Sequence, residues 1–271
     1  MTPDPLGGLS PQDSTPASGQ ASAPASTPAR ESWKRKLAKS PATWLLLAAN
    51  VVVFAAAESN GSTLSGATLM RFGACERTAV WGGEPWRVFT SMFLHIGLVH
   101  LAMNTWAMFG WCEAVESRLG TRRFLLIYLL SGMAASAASV LGHDVISAGA
   151  SGAGFAMIGA VLVLRYRLLG GLRVFAADPA SRRTLVSIVI WTVLGGTVLH
   201  LDNFAHGGGL VAGVILTLAL TTSTRAAAAA TGLIALFVAL AVAPPQRLRD
   251  SLVGGYLRFP SSSEAQRASP P

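Results

Sequence analysis

Seven apolar runs, at 42–57, 92–115, 124–141, 148–164, 185–199, 204–221 and 226–243, leave this chain few ways to fold. A helix needs about 20 mostly apolar residues to cross a bilayer, and a spanning segment has to satisfy its backbone hydrogen bonds internally. The runs therefore predict an all-α polytopic membrane protein. Composition agrees: 13% of the 271 residues are charged, against about 25% in a soluble domain. Eight of the 34 charged residues lie in the first forty positions, so the remainder is poorer still. The part after Ser40 has room for six or seven helices and none for a second folded domain.

The expected organisation has three parts. Residues 1–40 form a Ser/Pro/Ala-rich tail, too poor in large apolar side chains to offset its ordering entropy, ending in the basic cluster Lys34, Arg35, Lys36 and Lys39. Residues 41–243 form the membrane domain, and 244–271 a short C-terminal tail. The first run has the look of a signal peptide, with Ala55-Ala56-Ala57 after it. With more than thirty residues before it and further spans after it, it reads instead as an uncleaved first span.

A net charge of +8 and a pI of about 10.5 would suggest nucleic acid if the basic residues shared a face with stacking aromatics. Here apolar runs separate them, and no nucleic-acid partner is expected. Cys75 and Cys112 are too few for a disulfide framework or a zinc site, and both read as unpaired. No metal and no cofactor is expected.

Orientation follows from the arginines. The basic residues before the first run, Arg118, Arg122 and Arg123 after the second, and Arg165, Arg167, Arg173, Arg182 and Arg183 after the fourth all fall on one side. That side is predicted to be cytoplasmic, with the N-terminus inside. Arg247, Arg249, Arg258 and Arg267 fit poorly with an external C-terminus, which counts against the alanine-rich seventh run as a span.

Polar side chains within such runs are costly and mark function or packing. The second run holds His95, His100 and Asn104. The fourth begins with Gly149-Ala150-Ser151-Gly152, and the sixth with Ala205-His206-Gly207-Gly208-Gly209. These three runs cross in the same direction, which brings a serine, two histidines and an asparagine to similar depth. A serine hydroxyl becomes a nucleophile when an imidazole takes its proton, and the resulting oxyanion needs preorganised donors. His206 suits the base, while His100 and Asn104, four apart on a helix, suit the donors together with the Ser151 amide. Phe155, one turn after Ser151, is placed to pack on His206. Gly209 and Gly213 form a small-xxx-small stripe that lets the sixth run approach the fourth closely.

Trp86-Arg87, Thr90, His95-x4-His100-x3-Asn104, Glu116 with Gly120, Gly149-x-Ser151-Gly152 and Ala205-His206-x2-Gly209-x3-Gly213 together resemble a rhomboid intramembrane serine protease. The resemblance runs from about Pro85 to Gly213. It implies a six-helix transmembrane bundle with an additional C-terminal seventh helix and a Ser151–His206 catalytic dyad. His100, Asn104 and the Ser151 amide would form the oxyanion hole, with His95 in support. It also implies membrane-anchored protein substrates cut near the outer membrane face. A bacterial inner membrane is the expected location.

Each residue also has a plainer reading. Ser151 alone would be a packing residue, Asn104 interhelical glue, and His206 an interfacial loop histidine. Those readings do not predict that all three share one depth. His143 and His200 read as loop-end residues without function. Asp202, four before His206, is not expected to act as a triad acid. Glu116 and Arg87 are expected to support loops and helix ends, and Trp86 to anchor at an interface. The competing functions are a catalytically silent rhomboid-like binder of membrane proteins and a small transporter. Retention of both dyad residues argues against the first; the lack of an internal repeat and of paired intramembrane charges argues against the second.

Overall fold

The computed structural model describes residues 38–197 and 201–256. The tail expected at the N-terminus lies almost wholly outside the described residues, as do His200, Arg258 and Arg267. Seven long helices are described: α1 (Pro41–Ser59), α2 (Gly97–Leu119), α3 (Thr121–Gly142), α4 (Ser151–Leu169), α5 (Pro179–Thr197), α6 (Asn203–Leu220) and α7 (Thr224–Val242). A shorter α8 (Gln246–Tyr256) follows. Among the described residues, α1, α3, α4, α6 and α7 are each long and apolar enough to cross a membrane, and α2 makes a sixth when joined to the segment before it. The chain is an all-α, multi-pass integral membrane protein. Leu45, Val52, Trp106, Leu168 and Val189 point outward, so hydrocarbon rather than water suits the periphery.

Apolarity alone misplaces some helix ends. The second run reads as one span from Met92, yet the chain breaks at residues 94–96 and the helical segment 87–93 meets α2 at 88°. Leu94 is extended and Gly97 has φ +73°. Leu94 and Ile96 are apolar, so hydropathy passes over a break made by backbone geometry. His95 consequently lies in the break and not in the helix. The fourth helix starts at Ser151 rather than at 148, because Gly149 takes φ +142°. The fifth starts at Pro179, six residues before its apolar run: Asp178 accepts the Ser181 N–H at 2.7 Å, and proline is at home in a first helical turn. With Arg182 and Arg183 in its first turns, α5 has the length of a span without the apolarity.

The core is α3, α4 and α6. Tyr128, Phe124, Ile127, Met157 and Leu216 are fully buried there, and α4 and α6 lie backbone to backbone. A Cβ on Gly209 would collide with the Gly152 carbonyl oxygen, and one on Gly213 with that of Ala156.

Polar side chains close the remaining helix ends. Glu116 of α2 accepts from Ala42 N–H (3.0 Å), Thr43 N–H (2.8 Å), Thr43 Oγ1 (2.7 Å) and Thr121 Oγ1 (2.7 Å). Its carboxylate thus satisfies orphan donors at the start of α1. Arg87 donates to the Met70 and Ala74 carbonyls at 2.8 and 3.0 Å and pairs with Glu84. The region expected to be a short C-terminal tail holds α8, whose Arg249 donates to the Trp81 carbonyl. Trp81 Nε1 donates in turn to Ala241 at 2.8 Å.

Candidate active site

Ser151 is the first residue of α4, delivered by a loop pinned at two residues by three backbone hydrogen bonds. The Ser147 backbone exchanges hydrogen bonds with that of Cys75 at 2.9 and 2.7 Å. Gly149 N–H donates to the Ser91 carbonyl at 2.9 Å. At Gly149 the φ of +142° alone favours glycine, and a Cβ would also stand 2.9 Å from His100 Cε1. Cys75 is buried in this support, and that burial pushes its thiol up to about 12.

His206 sits one turn into α6, and Asp202 sets that turn. Asp202 Oδ1 accepts the Ala205 N–H at 2.9 Å as the N-cap, and its backbone carbonyl accepts the His206 N–H at 3.0 Å. Because Gly152 and Gly209 let α4 and α6 touch, His206 Nε2 comes within 2.9 Å of Ser151 Oγ. The His206 ring stacks on Phe155, with centroids 4.2 Å apart and an interplanar angle of 11°. Only 2% of His206 is exposed.

His100 lies in the first turn of α2. Its Nδ1 accepts the Ile96 N–H at 3.3 Å, which in the neutral ring leaves the proton on Nε2. That Nε2 is buried without a hydrogen-bond partner among the described residues. Asn104 Nδ2 donates one proton to the His100 carbonyl at 3.1 Å and keeps another. His95 is buried and packs edge-on to His100 at 5.4 Å. Ser151, His206, His100 and Asn104 all line one cavity of about 320 Å³, with Met103 and Trp191 among its apolar walls. That volume falls in the range of small-ligand sites. Chemically, the arrangement offers a hydroxyl bonded to an imidazole, in a largely apolar cavity with N–H donors beside it.

No triad hydrogen bond forms: the Asp202 carboxylate does not bond the His206 ring, whose Nδ1 is buried without a hydrogen-bond partner among the described residues, and serves the chain around it. Oδ2 accepts from Ser147 Oγ at 2.7 Å, and Oδ1 lies 3.0 Å from His143 Nε2. This His143–Asp202–Ser147 cluster escaped the sequence reading. Asp202 three residues before Ala205 at a helix start is a legible N-cap signal, whereas nothing local points to Ser147 or His143.

A family model described as the Rhomboid domain matches residues 82–223, just over half of the chain. The chain belongs to the rhomboid family. Among curated relatives, this rhomboid is 40% identical over 178 residues to "Rhomboid protease GluP" of Bacillus subtilis (strain 168), covering 66% of this chain and 34% of that one. It is 36% identical over 154 residues to "RHOMBOID-like protein 6, mitochondrial" of Arabidopsis thaliana, covering 56% and 49%. It is 36% identical over 155 residues to "Rhomboid-like protease 3" of Toxoplasma gondii, covering 55% and 57%. The chain thus spans about a third of the first relative's length and roughly half of the other two. The matched segment contains every residue placed around the cavity.

Proposed function

We propose that this rhomboid is a serine endopeptidase that cuts transmembrane segments of membrane-anchored proteins, with Ser151 as nucleophile and His206 as general base. The observation that carries the reading is the 2.9 Å contact between His206 Nε2 and Ser151 Oγ at a cavity between spanning helices. Ser151 Oγ attacks the scissile carbonyl carbon while Nε2 takes the hydroxyl proton. The charge gathering on the carbonyl oxygen is met by His100 Nε2–H, by the free Asn104 amide proton and by the Ser151 N–H. This last is an orphan donor at the start of α4. The C–N bond then breaks as Nε2 returns its proton to the leaving amine. Water, deprotonated by His206, attacks the acyl ester, and the acid product leaves with Ser151 restored.

Phe155 holds the His206 ring in plane, Gly149 and Gly152 admit the serine loop, Gly209 and Gly213 admit α6, and His95 supports His100. A peptide bond inside an intact helix is hydrogen-bonded and shielded, so substrates carry small or helix-weakening residues near the cut. The reaction requires neither metal nor cofactor.

In the same reading, 41–243 is the membrane domain, with 1–40 as a cytoplasmic tail and 244–271 as the C-terminal segment. The arginines of the α2–α3 and α4–α5 connections face the cytoplasm. The Ser151 end opens near the outer face of a bacterial inner membrane.

The test is labelling of purified, detergent-solubilised protein with a fluorophosphonate. Wild type is expected to be labelled at Ser151, with Ser151→Ala and His206→Ala unlabelled and Ser151→Ala unable to cleave a transmembrane reporter. An unlabelled, folded wild type would favour the catalytically silent binder.

A further inference from the structure

At the end of the bundle remote from Ser151, α2, α4 and α5 part around a second cavity of about 470 Å³. Three arginines reach it, Arg118, Arg165 and Arg183, and Trp111, Val161 and Leu164 form apolar walls. Arg165 is committed to Asp178, with Nε 3.1 Å from Oδ2. The other two guanidinium groups are exposed. Arg118 donates at 2.9 Å to the Ala114 carbonyl of its own helix, and Arg183 makes no hydrogen bond or ion pair among the described residues. Two of the three cations, Arg118 and Arg183, thus have no carboxylate partner among the described residues, beside apolar surface and at the ends of the spanning helices α2 and α4.

That combination selects the ligand. Arginine forks suit phosphate oxygens, and basic pockets between transmembrane helices take phosphate headgroups. A free anion would use Arg118 and Arg183 but leave Trp111, Val161 and Leu164 uncovered. A lipid with a net negative headgroup uses both. A zwitterionic lipid would bring its own cation against two arginines. We propose that this cavity binds one anionic glycerophospholipid, its phosphate between Arg118 and Arg183 and an acyl chain along Trp111, Val161 and Leu164. Trp111 also lines the cavity at Ser151, so the two cavities share a wall. The proposal does not rest on the peptidase reading.

Native mass spectrometry of the delipidated, detergent-solubilised full chain tests it, with phosphatidylglycerol, phosphatidylcholine and inorganic phosphate titrated separately. One phosphatidylglycerol is expected to be retained, and phosphatidylcholine is not. Arg118→Gln/Arg183→Gln is expected to weaken phosphatidylglycerol binding at least tenfold, while Arg122→Gln/Arg123→Gln, which removes the same charge outside the cavity, leaves it unchanged. Ala114→Leu, which fills the cavity and keeps every arginine, is expected to weaken it as strongly, and it decides the matter if the double arginine variant does not fold. The proposal is overturned by equal binding of phosphatidylcholine or by equal loss in the control pair. It is also overturned by undiminished binding to either cavity variant, or by displacement with millimolar phosphate, which would mark a free-anion site.

Discussion

Ser147 Oγ donates a 2.7 Å hydrogen bond to Asp202 Oδ2, tying the loop that delivers Ser151 to the cap of the helix that carries His206. The two residues are 55 apart in sequence, and neither side chain hydrogen-bonds Ser151 or His206; Asp202 holds His206 through its backbone carbonyl, which accepts the His206 N–H at 3.0 Å. Asp202 is therefore a positioning residue. Losing an N-cap costs about 1 kcal/mol, and a misplacement of an ångström can cost about a hundredfold in rate. Asp202→Ala is expected to slow fluorophosphonate labelling of Ser151 by roughly ten- to a hundredfold, lowering kcat with little change in KM. Asp202→Asn, which keeps a capping oxygen, should fall between. Labelling of Asp202→Ala at the wild-type rate would remove this role.

Backbone contact between α4 and α6 leaves no space for a methyl group at Gly209 or Gly213. Overpacking of this kind costs about 1–3 kcal/mol, and here relief comes by moving His206 away from Ser151. Gly209→Ala and Gly213→Ala are expected to lose Ser151 labelling while remaining helical by circular dichroism. Gly207→Ala is the control, since a Cβ there meets nothing within 4 Å.

The Phe155–His206 stack predicts a rate effect without unfolding. An aromatic pair contributes about 0.5–1.5 kcal/mol beyond its buried area. Phe155→Leu keeps most of the volume and loses the flat surface. Its kcat on a transmembrane reporter is expected to fall roughly threefold to tenfold, with the melting temperature within a few degrees of wild type.

Glu116 predicts the opposite pattern. Removing its carboxylate leaves the Ala42 and Thr43 N–H groups buried and unmatched, at about 1–3 kcal/mol for each unsatisfied donor. Glu116→Ala is expected to melt well below wild type in detergent, yet to label at Ser151 at low temperature. A loss of labelling in protein still folded would give Glu116 a part in the chemistry.

The α4–α5 connection predicts a pH effect. Hydrogen bonds from Arg165 and then from Ser181 lower the Asp178 carboxyl to about 2, from a reference of 3.8. A carboxyl depressed by folding stabilises above its unfolded pKa, and the benefit is lost as pH falls through the folded one. Amide exchange at Ser181 is expected to stay protected down to about pH 4 and to accelerate towards pH 2. Asp178→Asn should remove that pH dependence.

Local sequence determined a good deal of this protein. Apolar runs of spanning length and sparse charge dictate an all-α membrane bundle, because hydrocarbon admits only helices and closed β-barrels, and continuous apolar runs lack the short alternating segments of barrel strands. The ordered motifs from Trp86 to Gly213 carry the rhomboid family. Local sequence also placed Ser151, His100 with Asn104, and His206 on three separate helices. The tertiary structure decided what depends on contacts between distant segments. The break before Gly97 is invisible to hydropathy because Leu94 and Ile96, two of its three residues, are apolar. The cap that Glu116 supplies to α1 spans 73 and 74 residues, and Asp202 reaches Ser147 and His143 only after α4 and α6 have closed on their glycines. Periodicity reports what each residue does along its own helix, whereas these partners are chosen by close packing between helices far apart in the chain.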